Sequence, residues 1–361
     1  MTTLLGSGMT TLVAAVLVAS LALGPASTGS GQQSRPPLAS ATATLSILAG
    51  AVQHVPAGGK DARPAADGMN LAVGDRVLTG PGSTALVTFL DGSTLTVQPG
   101  ADITVKRADL ARGRSNIAIH VSAGAVWARV VRLIDPKSSF SLESNTYTAT
   151  VHDGLIGAEQ KPDGAFHCWT RAGALTLAAS QGETLVVLKP GERATAQAGE
   201  KPSPRTFSVN QSVLRVTTTE NLAPLVEMPD RARVAGFLAP GLEVNQVFGS
   251  FTRVIGRPRM VEVPAGVPGP FRLVIEGVKD GDFKVNVNGL FRGRTVYHQE
   301  FAGTIARGER FVTEITQELD GATPATAQLR RGSVGPLRPF AGPLPGKILV
   351  SPSELEAASG A

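Results

Sequence analysis

The chain has 361 residues and a formal net charge of +5, with 42% hydrophobic but only 5% aromatic residues. Lys and Arg are scattered singly among Asp and Glu; the nearest approach to a cluster, Lys106-Arg107 with Arg112 and Arg114, is broken by Asp109 and has no interleaved aromatic, which excludes a surface that tracks a phosphate backbone. The single cysteine, Cys168, excludes an internal disulfide and a thiolate zinc site, and is expected as a small buried apolar residue.

No charged side chain precedes Arg35, and residues 12–23 (LVAAVLVASLAL) form an apolar run of about a dozen residues, short of the roughly 20 that span a bilayer as a helix. Followed by Gly24, Ala26 and Ser27, the run predicts a signal peptide or membrane anchor over residues 1–28, with cleavage between Ala22 and Gly31. Positive residues before the run are missing, so an uncleaved anchor remains the rival. Residues 29–42 (GSGQQSRPPLASAT) have the composition of a flexible linker.

From residue 43 the pattern is that of short strands. In TALVTFLDGSTLTV, Ala85, Val87 and Phe89 share one face, Leu86, Thr88 and Leu90 the other, and Leu95 and Val97 continue an apolar face. Asp91-Gly92 predicts a two-residue type I′ turn, so Asp91 is a turn former rather than an acid catalyst. Residues 117–121, 124–131, 140–142, 147–151, 165–170, 174–178, 184–188 and 193–196 repeat the style, punctuated by Gly, Pro, Asn or Asp, and predict an all-β domain over 43–199.

Val73-Gly74-Asp75-Arg76-Val77-Leu78-Thr79-Gly80-Pro81-Gly82-Ser83, the Leu90-Asp91-Gly92-Ser93 turn, Ser122-Ala123-Gly124-Ala125-Val126 and Leu188-Lys189-Pro190-Gly191-Glu192 together resemble the FecR domain, an exported bacterial β module, across residues 43–198. The resemblance implies a FecR-like β-sandwich or barrel acting as an extracytoplasmic binding or scaffold module. Where the family carries Arg-Gly-Thr, this chain reads Thr148-Ala149-Thr150-Val151-His152-Asp153-Gly154, so a role tied to that arginine does not transfer. At most eleven residues precede the apolar run, which leaves no room for the family's sigma-binding cytoplasmic segment.

No catalytic or cofactor-binding residues are predicted. Gly80-Pro81-Gly82-Ser83-Thr84-Ala85 matches a dinucleotide loop, but a strand follows it instead of a helix. The five histidines lack metal-ligand spacing, and His167 and Cys168, adjacent on a strand, point apart. The functional candidates are His152 and Asp153, at the altered signature, and Trp127, which with Tyr297 would be an aromatic platform if the chain bound glycans.

Residues 200–233 read as a connector with one strand at 212–218, since Leu222-Ala223-Pro224-Leu225 breaks any helix. Alternating segments with Gly-bearing turns predict a smaller C-terminal β-sandwich over 234–320. In it Asp280, Asp282, Asn286 and Asn288 carry hard oxygen atoms but lack EF-hand spacing, and a solvated polar sheet face accounts for them. Residues 321–361, rich in Ala, Pro and Gly, are expected to be disordered as far as Gly346.

The sequence therefore predicts an exported, non-enzymatic, all-β binding or scaffold protein at the cell envelope, without cofactors. Its expected partner is an envelope or extracellular protein or glycan, not nucleic acid, and it meets the membrane only through an uncleaved N-terminal segment. The alternatives are a carbohydrate-binding or enzyme-accessory module, and a transmembrane sigma-factor regulator lacking its N-terminal segment.

Overall fold

A computed structural model describes residues 42–111, 113–133, 135–180, 182–197, 200–206, 211–239, 242–321 and 327–346. The expected signal or anchor segment, nearly all of the linker and the last residues of the tail lie outside them. Among the described residues the protein is all-β.

The first part of the chain contributes β1 (Ala43–Ala49), β2 (Val52–Val55), β3 (Arg63–Pro64), β4 (Met69–Leu71), β5 (Arg76–Thr79), β6 (Thr84–Phe89), β7 (Thr94–Val97) and β8 (Asp102–Ala111). A long strand follows, β9 (Arg114–Val130), then β10 (Ser139–Glu143), β11 (Tyr147–Val151), β12 (Gly154–Gln160) and β13 (Phe166–Ala172). The last four are β14 (Leu175–Ala179), β15 (Thr184–Leu188), β16 (Glu192–Ala196) and β17 (Arg205–Thr206).

These strands form two layers that share β9. One layer runs β4-β1-β6-β7-β9-β12-β13-β16-β17 and the other β3-β2-β5-β8-β9-β10-β11-β14-β15. The layers enclose one core, in which Phe89 of the first meets Phe140 of the second edge to face at 5.8 Å. Burying each such ring contributes about 1.5–3 kcal/mol. The described edges do not close on one another, so the module is a sandwich and not a barrel.

The crossing of β9 explains a motif. Residues 114–123 pair with β8, and residues 124–130 pair with β12 in the other layer. Between them Gly124 has φ +72°, and a Cβ there would stand 2.6 Å from Ala101 Cα. Ser122-Ala123-Gly124-Ala125-Val126 is thus the point where one strand changes sheets, not a turn between two strands. The hairpin after β6 also differs from expectation. Gly92 alone has positive φ, and its amide donates to the Phe89 carbonyl at 3.0 Å, so the loop has three residues with glycine in the left-handed position. Asp91 serves as the turn former: its carboxylate accepts from the Ser93 amide at 2.8 Å and the Ser115 hydroxyl at 2.7 Å.

The second sandwich comprises β18 (Ser212–Thr218), β19 (Leu222–Glu227), β20 (Val234–Ala239), β21 (Leu242–Asn245), β22 (Phe251–Val254), β23 (Arg259–Pro264) and β24 (Phe271–Gly277). It is completed by β25 (Gly281–Phe291), β26 (Arg294–Ile305), β27 (Arg310–Asp320), β28 (Gln328–Val334) and β29 (Arg338–Pro339). One sheet runs β22-β23-β18-β25-β26; the other runs β21-β20-β19-β24-β27-β28, with β29 also on β27. Leu214, Val216, Val285 and Val287 alternate inward onto Phe237, Phe271 and Ile275.

Two expectations change here. The stretch read as a connector supplies two central strands, because Leu222-Ala223-Pro224-Leu225 breaks a helix without breaking a strand. Pairing with β20 begins only at Leu225, so Pro224 sits where the ladder is one-sided. The tail expected to be disordered returns as β28 on the edge of β27. Its entry is held by one hydroxyl: Ser212 Oγ donates to the Ala327 carbonyl and accepts from the Leu329 amide, each at 3.0 Å. Adding a strand to an existing edge requires backbone partners and one anchor such as the buried Leu329, not a core of its own.

Candidate functional site

The outer face of the first sandwich carries Trp127 on β9 and Trp169 on β13, in register on either side of Gly157 of β12, with Leu155 two residues along β12. An outward tryptophan on a solvated sheet would be exposed, yet Trp127 is 0% and Trp169 7% exposed. They are covered by Phe248 and Phe251 of the second sandwich. Phe248 lies 5.2 Å from Trp127 and meets Trp169 edge to face at 5.4 Å. Each such aromatic pair adds about 0.5–1.5 kcal/mol beyond the area it buries.

Local chemistry aims each partner. Phe248 stands on a turn closed by the Ser250 amide donating to the Val247 carbonyl at 2.9 Å, with Gly249 at φ +76°. Asn245 braces it, donating to Thr252 Oγ1 at 3.0 Å and accepting from Ser250 Oγ at 3.2 Å. Opposite Trp127, Gly157 leaves room for the indole; a Cβ there would stand 2.8 Å from the ring. An ionic clamp flanks the rings. Arg171 of the first sandwich lies 5.2 Å above the Phe251 ring and donates to Glu262 Oε2 at 3.0 Å, while Arg215 donates to Glu262 Oε1 at 2.6 Å. The Trp127 indole Nε1 is buried without a hydrogen-bond partner.

The three sequence candidates do not gather. Trp127 is internal to this seam. His152 and Asp153 are exposed in the turn between β11 and β12, past the end of the β9–β12 pairing at Gly154↔Val130. Tyr297, the other platform aromatic, is half-buried with its hydroxyl accepting from Gln317 Nε2 at 2.9 Å, and burial pushes its phenol up to about 12. Asp280 Oδ1 accepts from the Arg307 amide at 2.6 Å, and among the described residues no three acidic, His or Cys side chains gather as a metal site. Sequence reasoning missed Phe248, Arg171 and Glu262. The available signal was Asn245-Gln246-Val247-Phe248-Gly249-Ser250-Phe251, a turn that lifts one aromatic out of the alternating pattern. Asp75 stands within the family-like run of residues 73–83 with no role assigned to it by the sequence; there it is a buried carboxylate that accepts from the Ala57 and Ala72 amides at 2.9 and 3.0 Å and so ties two loops together.

Cys168 faces the first core while His167 faces away, hydrogen-bonded to Thr195 Oγ1 at 3.1 Å. Burial pushes the thiol up to about 12, so no thiolate forms near neutrality. Alkylating reagents should leave Cys168 unmodified in the folded chain and label it fully in denaturant; labelling of the native protein at a free-thiol rate contradicts the packing.

Burial holds the His120 imidazole below the usual histidine range, with the Lys106 ammonium pushing the same way, and burial does likewise at His167. A lowered folded pKa means the unfolded chain takes up the proton first. Stability is then independent of these groups above about pH 6.5, falls as pH drops below that value, and levels off beneath the folded pKa. Thermal midpoints from pH 7 downward should decline less steeply in a His120→Gln/His167→Gln variant than in the parent; parallel slopes would remove both groups from the account.

Comparison with known proteins places this geometry. Residues 75–176, which span from β5 into β14, match the family described as FecR protein. The match begins at the loop-tying Asp75 and contains the β9 crossing, Trp127 and Trp169. No curated protein matches the chain. Two crystal structures, each described as "a putative anti-sigma factor from Parabacteroides distasonis", share 15% and 13% identity with it, both at TM-score 0.31. The alignments cover 37% of this chain and 60% of theirs, so the chain spans less than two thirds of either structure. Among the described residues no helix is long and apolar enough to cross a membrane.

Proposed function

We propose that this chain, which carries a FecR domain in residues 75–176, works outside the cytoplasm as a non-enzymatic binding or scaffold protein of the cell envelope. The observation that carries the reading is the Trp127 seam. It makes the FecR module and the second sandwich one body and occupies, in packing, the tryptophans that a glycan platform would expose. The ionisable groups near it are likewise spent on architecture: Glu262 is clamped by two arginines, and Cys168 is held as a neutral thiol. The apolar run at residues 12–23 supports placement beyond the membrane, and a second sandwich fused to the FecR module supports presentation of a surface to another macromolecule.

The test is mass spectrometry of the N-terminus in separated membrane and soluble fractions of the native host, combined with crosslinking in intact cells. A cleaved start between Ala22 and Gly31, or an intact start in the membrane fraction, together with a crosslinked envelope partner, fits the proposal. Recovery from the cytoplasm would overturn its location. Turnover of a glycan, peptide or ester abolished by one side-chain change would overturn its non-enzymatic character.

A further inference from the structure

The second sandwich ends on one side at β26, which has no strand on its far edge among the described residues. Its neighbour shows which backbone groups point outward. The Thr219 amide donates to the Lys284 carbonyl at 3.1 Å and the Lys284 amide to Thr219 Oγ1 at 3.3 Å, so both backbone groups of Lys284 face the β18 side of β25. Antiparallel pairs alternate between hydrogen-bonded and non-hydrogen-bonded, so Ala302, opposite Lys284, turns its N–H and C=O away from β25. The register is unbroken from Gly281↔Ile305 to Gly289↔Tyr297 and carries this alternation along the strand. His298, Glu300, Ala302 and Thr304 therefore offer their backbone groups to the free edge, and all four are exposed.

Exposed edges of this length are usually blunted by charged side chains, proline or a central bulge. β26 has no proline and no central bulge, its one irregularity lying at its start, between Gly289 and Leu290, and its charged groups are Arg294 at that start and Glu300 two residues from His298. The other sheet's edge on the same side, where Gly332 of β28 lies against the Tyr297 ring, carries Arg330, Arg331 and a bulge.

We propose that β26 is a self-association edge, on which a second copy of this chain pairs its own β26 antiparallel about a two-fold axis at Gln299. The charges select that register. It sets His298 opposite Glu300 of the second copy, and the symmetry makes the pair twice. Sliding by two residues, the smallest step that keeps the outward groups matched, places His298 opposite His298 or Glu300 opposite Glu300, which loses the His298–Glu300 pair and, for two carboxylates or two protonated imidazoles, sets like charges directly opposite. Both partners are available. In its protonated form His298 donates Nδ1–H to Asn288 Oδ1 at 2.9 Å and keeps Nε2–H for the carboxylate, while among the described residues the Glu300 carboxylate has Lys284 Nζ at 3.8 Å. The union continues each five-stranded sheet into its copy.

Sedimentation of the full chain tests this. The parent should sediment as a dimer, and Ala302→Pro as a monomer whose thermal midpoint equals the parent's at dilutions where the parent has also dissociated, because the amide it removes faces outward. In mildly acidic buffer, where an imidazole carries its second proton, Glu300→Lys should likewise give a monomer, and His298→Glu combined with Glu300→Lys should restore the dimer. Gln299→Cys places two thiols across the axis at a Cα separation of about 4.5 Å, within disulfide reach. Mild oxidation should then link the copies, with the buried Cys168 taking no part. A parent that stays monomeric at every concentration overturns the proposal. So does a dimer that survives Glu300→Lys, or one that crosslinks through His298→Cys and not through Gln299→Cys.

Discussion

Replacing Trp127 by alanine is expected to lower stability by about 3–5 kcal/mol, the range for truncating a large buried aromatic, and to uncouple the two sandwiches. Both effects follow from where the ring sits. The indole fills the space left by Gly157 and is the surface on which Phe248 rests, so its removal empties the centre of the seam while each sandwich keeps its own core. The remaining contacts, Trp169 against Phe248 and the Arg171–Glu262–Arg215 clamp, lie at its margin, where water can enter. In scanning calorimetry the single transition expected of the parent should split into two, and Phe248→Ala should reproduce the split from the other side. A Trp127→Ala protein that unfolds in one transition at the parent's midpoint would mean that the seam does not couple the domains.

A larger effect is expected at the altered signature, from its glycine. Gly154 has φ +130°, and a Cβ there would stand 2.0 Å from the Ala172 carbonyl oxygen. Gly173, at φ +77°, is fitted just as closely, with its Cβ position 1.9 Å from the Asp153 carbonyl oxygen. The turns β11–β12 and β13–β14 thus pack backbone to backbone, and no flexible side chain can yield. Gly154→Ala and Gly173→Ala should each cost about 4 kcal/mol or more, at the far end of single-site effects. At this chain length that is a fall in midpoint of roughly 5 °C or more. His152→Ala and Asp153→Ala, exposed on the same turn, should stay within about 0.5 kcal/mol of the parent. Any loss of partner crosslinking in those two variants would then report contact rather than unfolding. Thermal melts of the four variants separate the roles; a mild Gly154→Ala would show that the turns can part.

Much of the fold was legible because its punctuation is local. Short apolar alternation, with Gly or Asp where the chain must turn, predicts strands, and segments such as 147–151, 184–188 and 212–218 form strands with those bounds. Errors arose where one local signal serves two structures. Gly124 has the left-handed backbone of a turn residue yet lies inside β9, since a strand that changes sheets needs the same freedom as one that reverses. Pro224 was read against a helix and said nothing against a one-sided strand.

The candidate site was harder to see. Trp127 was marked by its residue type, but its role was set by Phe248, over a hundred residues away, and by Arg171 meeting Glu262. Neither Asp75 nor Glu262 has a motif that announces burial. Each is a carboxylate whose partners lie on other strands, and an isolated acid in a sequence reads as solvated.

By itself, then, the sequence determined the all-β class, the FecR-like order of turns and a lone cysteine suited to burial. These depend on residue type and near spacing, where backbone sterics and side-chain periodicity act directly. Only the tertiary structure decided that β9 belongs to two sheets, that β10 joins it in parallel, that the Pro- and Gly-rich tail returns as an edge strand, and that an outward tryptophan is covered. Each of these depends on which surfaces are brought together over long sequence separations. The free energy of such contacts comes from water excluded between two partners, and neither partner carries that information alone.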